Sequence, residues 1–118
     1  MLRDCDYGAW AGRSFDEVHA REPDAASTWL REPAATPHGG ESIAAVIRRV
    51  GQWLADERAR RQRVIVVTHP AVIRAAIVHA IEAAPQSFWR IDIAPLSVTR
   101  LGSLGGRWNL SGAGCMAS

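Results

Sequence analysis

The chain has 118 residues, enough for one domain built on one core. At 47% hydrophobic and 22% charged it has an ordinary globular composition, and a formal net charge of +2 gives no electrostatic argument for nucleic acid. Cys5 and Cys115 lie near opposite ends without the paired spacing of a zinc or redox motif. Met1 to Glu17 has no apolar run of signal-peptide or membrane length, so no membrane is expected and the expectation is a cytosolic protein.

In chain order, Leu2-Arg3-Asp4-Cys5-Asp6-Tyr7-Gly8-Ala9-Trp10-Ala11-Gly12 has no period, and its acids, aromatic pair and glycines predict an ordered loop. Ser14 followed by Asp16 and Glu17 predicts the capped start of a short helix that Pro23 ends. Glu22 to Gly40 carries Pro23, Pro33, Pro37, Gly39 and Gly40, and reads as a long connection with at most a short helix around Trp29-Leu30. Connections of that length are often binding segments or lids. Gly40-Glu41-Ser42 then opens the clearest helix, with Ile43, Val46, Ile47, Val50, Trp53 and Leu54 on one face. Arg58, Arg60, Arg61 and Arg63 crowd its end, where positive charge complements the helix dipole; a nucleic-acid patch would want interleaved aromatics, and there are none.

Val64-Ile65-Val66-Val67 reads as a strand buried on both faces. Thr68-His69-Pro70 is the turn after it, and Ala71 to Ala84 carries a helical pattern at Val72, Ile73, Ala76, Ile77, Ala80 and Ile81. His69 thus stands at the carboxyl end of a strand and the amino end of a helix, where free backbone N–H groups favour an anion. An imidazole there serves phosphate chemistry as nucleophile, charge stabiliser or proton carrier, while a plain helix cap fits the local pattern as well. Pro85 ends that helix, Ile91 to Ile93, Val98 to Leu101 and Arg107 to Leu110 read as short strands, and Gly102 to Gly106 as a hairpin turn. The predicted organisation is one α/β domain over residues 1–110 and a frayed tail from Ser111 to Ser118.

Four of these stretches, in order, resemble the histidine phosphatase (phosphoglycerate mutase-like) superfamily. The first is similar to the family's leucine-x-acid segment running into a Gly-x-Trp-x-Gly loop. Pro37-His38-Gly39-Gly40-Glu41-Ser42 is similar to the Gly-Glu-Ser that begins its long helix. Val66-Val67-Thr68-His69 with Ala71 to Arg74 resembles the segment of its second active-site histidine. Ile91 to Leu110 resembles its closing strands. The resemblance implies a mixed, mostly parallel sheet flanked by helices, and a metal-free, cofactor-free hydrolysis of small phosphate monoesters through a phosphohistidine. His69 then contacts the transferring phosphoryl group and Asp4 stands in the place of the proton donor, usually a glutamate. Tyr7, Ala71 and Arg74 fall where phosphate or substrate is held, although Arg74 also suits a structural partner of a nearby acid. Pro70 replaces the more usual glycine and removes one N–H from the anion nest. Glu41 is expected to support its helix rather than to react.

The family's Arg-His-Gly segment, whose histidine is the nucleophile, and its further phosphate-clamping arginine have no counterpart among His19, His38, His79 and their neighbours. The chain therefore resembles the later part of the fold, with the first βα units absent. Two expectations follow. Catalysis by this chain alone is weak or absent, the alternative being a non-catalytic binding or regulatory module. The strand at Val64, deprived of its neighbour, is covered by a second copy or by a complementing chain.

Overall fold

The computed structural model describes residues 2–60 and 64–116. Arg61 and Arg63 of the basic cluster, and Ala117 and Ser118 of the expected tail, lie outside the described residues. The chain enters through an ordered loop containing a 3-10 turn, Gly8–Trp10. Helix α1 (Phe15–Arg21) starts as its sequence predicts, with Ser14 and Glu17 forming a reciprocal capping box. Pro23 does not simply end that helix. It occupies the first turn of a second one, α2 (Pro23–Arg31), where a missing N–H costs nothing. The expected long connection is thereby mostly helical, and it buries Ala26 and Trp29.

Helix α3 (Ile43–Arg60) buries the predicted face, with Ile43, Val46, Val50 and Leu54 inside and Ile47 and Trp53 half-buried. It packs along α4 (Pro70–Ala80), which is enclosed on several sides: Ala71, Val72, Ala75, Ile77, Val78 and Ala80 are all buried. The predicted continuation of α4 to Ala84 does not occur. Glu82 turns into the left-handed region at φ 55°, Ala83 N–H returns to Val78 O at 3.0 Å and Glu82 N–H to His79 O at 3.2 Å. That is a Schellman termination with glutamate in the usual glycine place, and it leaves Ile81 half exposed. Pro85 begins a 3-10 segment, Pro85–Arg90, whose Phe88 closes the core beside Trp29 and Trp89.

The chain finishes in an antiparallel hairpin, β1 (Ser97–Leu104) and β2 (Arg107–Met116). Its turn is tighter than predicted, because Gly105 and Gly106 both take positive φ, 62° and 76°, as a two-residue hairpin turn requires. The expected fraying from Ser111 is corrected as well: β2 continues to Met116, paired through Gly112 with Arg100 and through Met116 with Ser97. Ile91 to Ile93 forms no ladder, and the Ile91 carbonyl is taken instead by the Arg74 guanidinium at 2.7 Å.

The largest departure concerns residues 64–67. They carry no regular secondary structure and make no ladder with any described strand, so among the described residues the sheet is the two-stranded hairpin alone. Far from being buried on both faces, Ile65 is 91% and Val67 97% exposed, and Val64 and Val66 are exposed in part. Thr68 Oγ1 ties the end of the segment to Leu2 O at 3.2 Å.

Candidate active site

Two loops are zipped together to make the site. Ala9 N–H donates to His38 O at 2.9 Å and Glu41 N–H to Asp6 O at 2.7 Å, so residues 4–10 run beside residues 36–42. Their approach is too close for side chains at the crossing. A Cβ on Gly8 would lie 2.2 Å from His38 O, and one on Gly40 2.2 Å from Asp6 O. Both positions demand glycine for space.

The seam is locked by Glu41 and Arg49. Arg49 Nε donates to Glu41 Oε2 at 2.9 Å and its terminal nitrogen to Oε1 at 3.0 Å, a forked pair only 18% and 12% exposed. Glu41 also accepts Asp6 N–H, and Arg49 donates to the carbonyls of Arg3 and Asp4 at 3.1 and 3.4 Å. These bonds, led by that to Arg49, hold the Glu41 carboxyl below the usual carboxylate range. Glu41 is thus a support for the loop, as its place before α3 suggests. Arg49 is a residue that sequence reasoning missed: it sits beside Arg48 on a polar helix face, and nothing local distinguishes the two.

His38 was missed too. It is 4% exposed, its Nδ1 accepts Gly40 N–H at 2.8 Å, and Tyr7, Trp10 and Trp29 stand edgewise around it at 4.5 to 6.3 Å between ring centroids. Burial pushes its pKa down, so the neutral ring accepts at Nδ1 and carries its proton on Nε2. The tryptophans here anchor core and loop.

On this platform Asp4 meets His69. Asp4 Oδ1 caps Cys5 N–H at 2.7 Å, and Oδ2 lies 3.7 Å from His69 Nδ1, with the two side chains 38% and 57% exposed. Tyr7 adjoins them: burial, then the Asp4 charge, pushes its phenol up to about 12, while Arg74 pulls it the other way. The phenol is therefore a neutral donor at physiological pH. At the start of α4, Ile73 N–H is bonded to His69 O at 3.1 Å, His69 makes no side-chain cap, and Pro70 has no N–H. That leaves the N–H groups of Ala71 and Val72 without intrahelical acceptors at the positive end of the helix dipole.

Arg74 lies farther in. Its Nε bonds Ile91 O, and its guanidinium lies 5.8 Å from the Trp89 ring centre and 6.0 Å from that of Phe88. The structural partner expected for it is thus a carbonyl and two rings instead of an acid. Among the described residues its terminal nitrogens make no hydrogen bond. The assembled groups are a carboxyl, an imidazole, a neutral phenol and the two N–H groups at the start of α4, whose residues Ala71 and Val72 are themselves buried. Such a set can hold a tetrahedral anion and exchange a proton with it. Among the described residues no three His, Cys, Asp or Glu side chains cluster closely enough to hold a metal ion, and no helix is long and apolar enough to cross a membrane.

The chain is similar to known proteins along most of its length. A family model described as the histidine phosphatase superfamily (branch 1) matches residues 1–115. The chain is 34% identical over 101 residues to phosphoserine phosphatase 1 of Hydrogenobacter thermophilus, covering 81% of this chain and 48% of that protein. It is 34% identical over 108 residues to the bifunctional protein Rv2228c of Mycobacterium tuberculosis, covering 82% of this chain and 28% of that one. The solved structure of mycobacterial glucosyl-3-phosphoglycerate phosphatase Rv2419c superposes with a TM-score of 0.83 at 23% identity, over 98% of this chain and 64% of that chain. The chain therefore spans about half or less of these curated relatives, and less than two thirds of that structure.

Proposed function

The chain belongs to the histidine phosphatase superfamily, and from that premise we propose that it carries one side of a phosphomonoester site. The phosphate group sits between His69 and the Ala71 and Val72 N–H groups, with Tyr7 donating to it and the Arg74 terminal nitrogens facing it. Asp4 delivers a proton to the leaving oxygen as the phosphorus–oxygen bond breaks, and His69 stabilises the phosphoryl charge. The observation that carries this reading is the 3.7 Å approach of Asp4 to His69 beside an uncapped helix start. Phosphoserine and sugar phosphoglycerate esters, named for the relatives, define the substrate class: small phosphate monoesters.

In this reading His69 stabilises charge and turnover needs a nucleophile from elsewhere, since His38 is buried in its aromatic surround, His79 lies at the far end of α4 and His19 belongs to α1. We place the reaction in the cytosol, where the free, buried Cys5 stays reduced. The exposed apolar segment 64–67 favours a further requirement, cover by a complementing chain or a second copy, since an unpaired β-branched edge in water invites pairing.

The test combines binding and turnover in EDTA. Inorganic phosphate is titrated into the labelled chain, and the Ala71 and Val72 amide resonances are expected to shift saturably, and more weakly in His69→Ala. Hydrolysis of p-nitrophenyl phosphate is expected at background in both proteins. Amides unmoved by phosphate would sink the site, and turnover that vanishes in His69→Ala would sink the dependence on a supplied nucleophile.

A further inference from the structure

The carboxyl end of α4 carries a second set of unused groups. Two adjoining cavities of about 400 and 510 Å³ share Ile47, Arg58, His79 and Trp108, and together form one groove between α3, the last turn of α4 and the hairpin tip. Each volume is within the range that small-molecule sites occupy. The groove is rich in donors: Arg48 borders one half and Arg107 the other, with Glu82 the one acid among the lining side chains. Ile47 and the Trp108 ring supply apolar surface to both halves of its lining. The imidazole of His79 fits here because Gly51 leaves it room; a Cβ at Gly51 would stand 2.6 Å from His79 Nδ1.

The decisive observation is the Trp108 indole N–H. It is buried, yet among the described residues it has no acceptor. Buried donors are normally paired, so an orphan beside an open, positively charged groove marks the place of an absent acceptor. We propose that this groove binds a small organic anion with a flat ring, its ring against Ile47 and Trp108 and its acidic group accepting from the Trp108 indole and the arginines. It is separate from the phosphate site: eleven residues of α4 place the two ends about 15 Å apart at ~1.5 Å per residue.

Phenyl phosphate is the probe, and the readout is the Trp108 indole cross-peak, assigned by its loss in Trp108→Phe. The peak shifts saturably in the full chain and equally in His69→Ala, so this result does not depend on the site at the other end of the helix. Arg48→Ala and Arg58→Ala each weaken binding about fivefold, the factor for losing one charged contact at a part-exposed site. Arg58 also holds the Gly106 carbonyl at the hairpin tip, so Arg48, which lies exposed on α3, gives the cleaner comparison. Inorganic phosphate alone binds more weakly than phenyl phosphate. An unmoved Trp108 peak, affinity unchanged in Arg48→Ala, or a shift abolished by His69→Ala would each overturn the proposal.

Discussion

Removing one partner of the Glu41–Arg49 pair should loosen the whole seam that presents Asp4. The pair is forked, at 2.9 and 3.0 Å, and less than a fifth of either side chain is exposed. Breaking a well-buried pair costs about 3–5 kcal/mol because the survivor keeps its charge without a partner. With partial exposure here, the lower end applies, about 2–3 kcal/mol for Glu41→Gln or Arg49→Met. The double variant leaves no orphaned charge, so its cost should stay near that of either single change, a coupling of about 2 kcal/mol. Urea unfolding reads this directly: with m near ~1.5 kcal/mol/M, each single variant loses about 1.3–2 M in midpoint. The pH dependence gives an internal check. Because Arg49 holds Glu41 below its ordinary 4.5, the contribution is fully present above that value and is lost as pH falls through the lower folded one. The gap between the native chain and Glu41→Gln should therefore close in acid. Additive single costs, or a gap constant from neutrality to acid, would refute the account.

Three further outcomes are expected. Glu82→Gly should stabilise the chain by about 0.5–1 kcal/mol, roughly 3 °C in Tm, because glutamate at φ 55° pays for a conformation glycine adopts freely; an unchanged or lower Tm would contradict the Schellman reading. Native Cys5 should resist alkylation at pH 8 by peptide mapping, since burial pushes its thiol from 9.0 to about 12; for the same reason stability should fall above pH 9.0, where only the unfolded chain ionises. Ile65→Thr with Val67→Thr should change unfolding free energy by less than about 0.5 kcal/mol, as side chains in water contribute little, and should reduce association in light scattering. A loss above about 2 kcal/mol would mean the segment is packed within the chain.

What the sequence disclosed followed its periodicity. The α3 face was legible because Ile43, Val46, Val50 and Leu54 repeat at helical spacing, and α1 because Ser14 reads as a cap with Asp16 and Glu17 in the first turn. Helix α2 was not, because Pro23 reads equally as terminator and as first-turn residue, and only packing of Ala26 and Trp29 decides between them. Residues 64–67 have an unmistakable strand composition, but composition cannot say whether a partner strand is at hand. At the candidate site, the turn carrying His69 and the loop carrying Asp4 were readable, and their meeting is a tertiary fact. Arg49 and His38 stayed hidden for the same reason. Their significance rests on partners in other loops, while locally one is a helix arginine among several and the other a histidine in a proline-glycine turn.

The crossing of the two loops at Gly8 and Gly40 carries a consequence for how this surface can vary. Gly40 lacks a positive φ, yet its missing Cβ is what admits the opposite backbone, since a Cβ there would stand 2.2 Å from Asp6 O. Residues that tolerate left-handed geometry, such as asparagine, are therefore no remedy at either position. In a saturation screen these two glycines should behave as a fixed pair that rejects every side chain, even alanine. Diversity in the Asp4 loop must come from residues that flank the crossing, so new ligand preferences would be reached by altering Tyr7 or the α1–α2 segment while the crossing itself stays as it is.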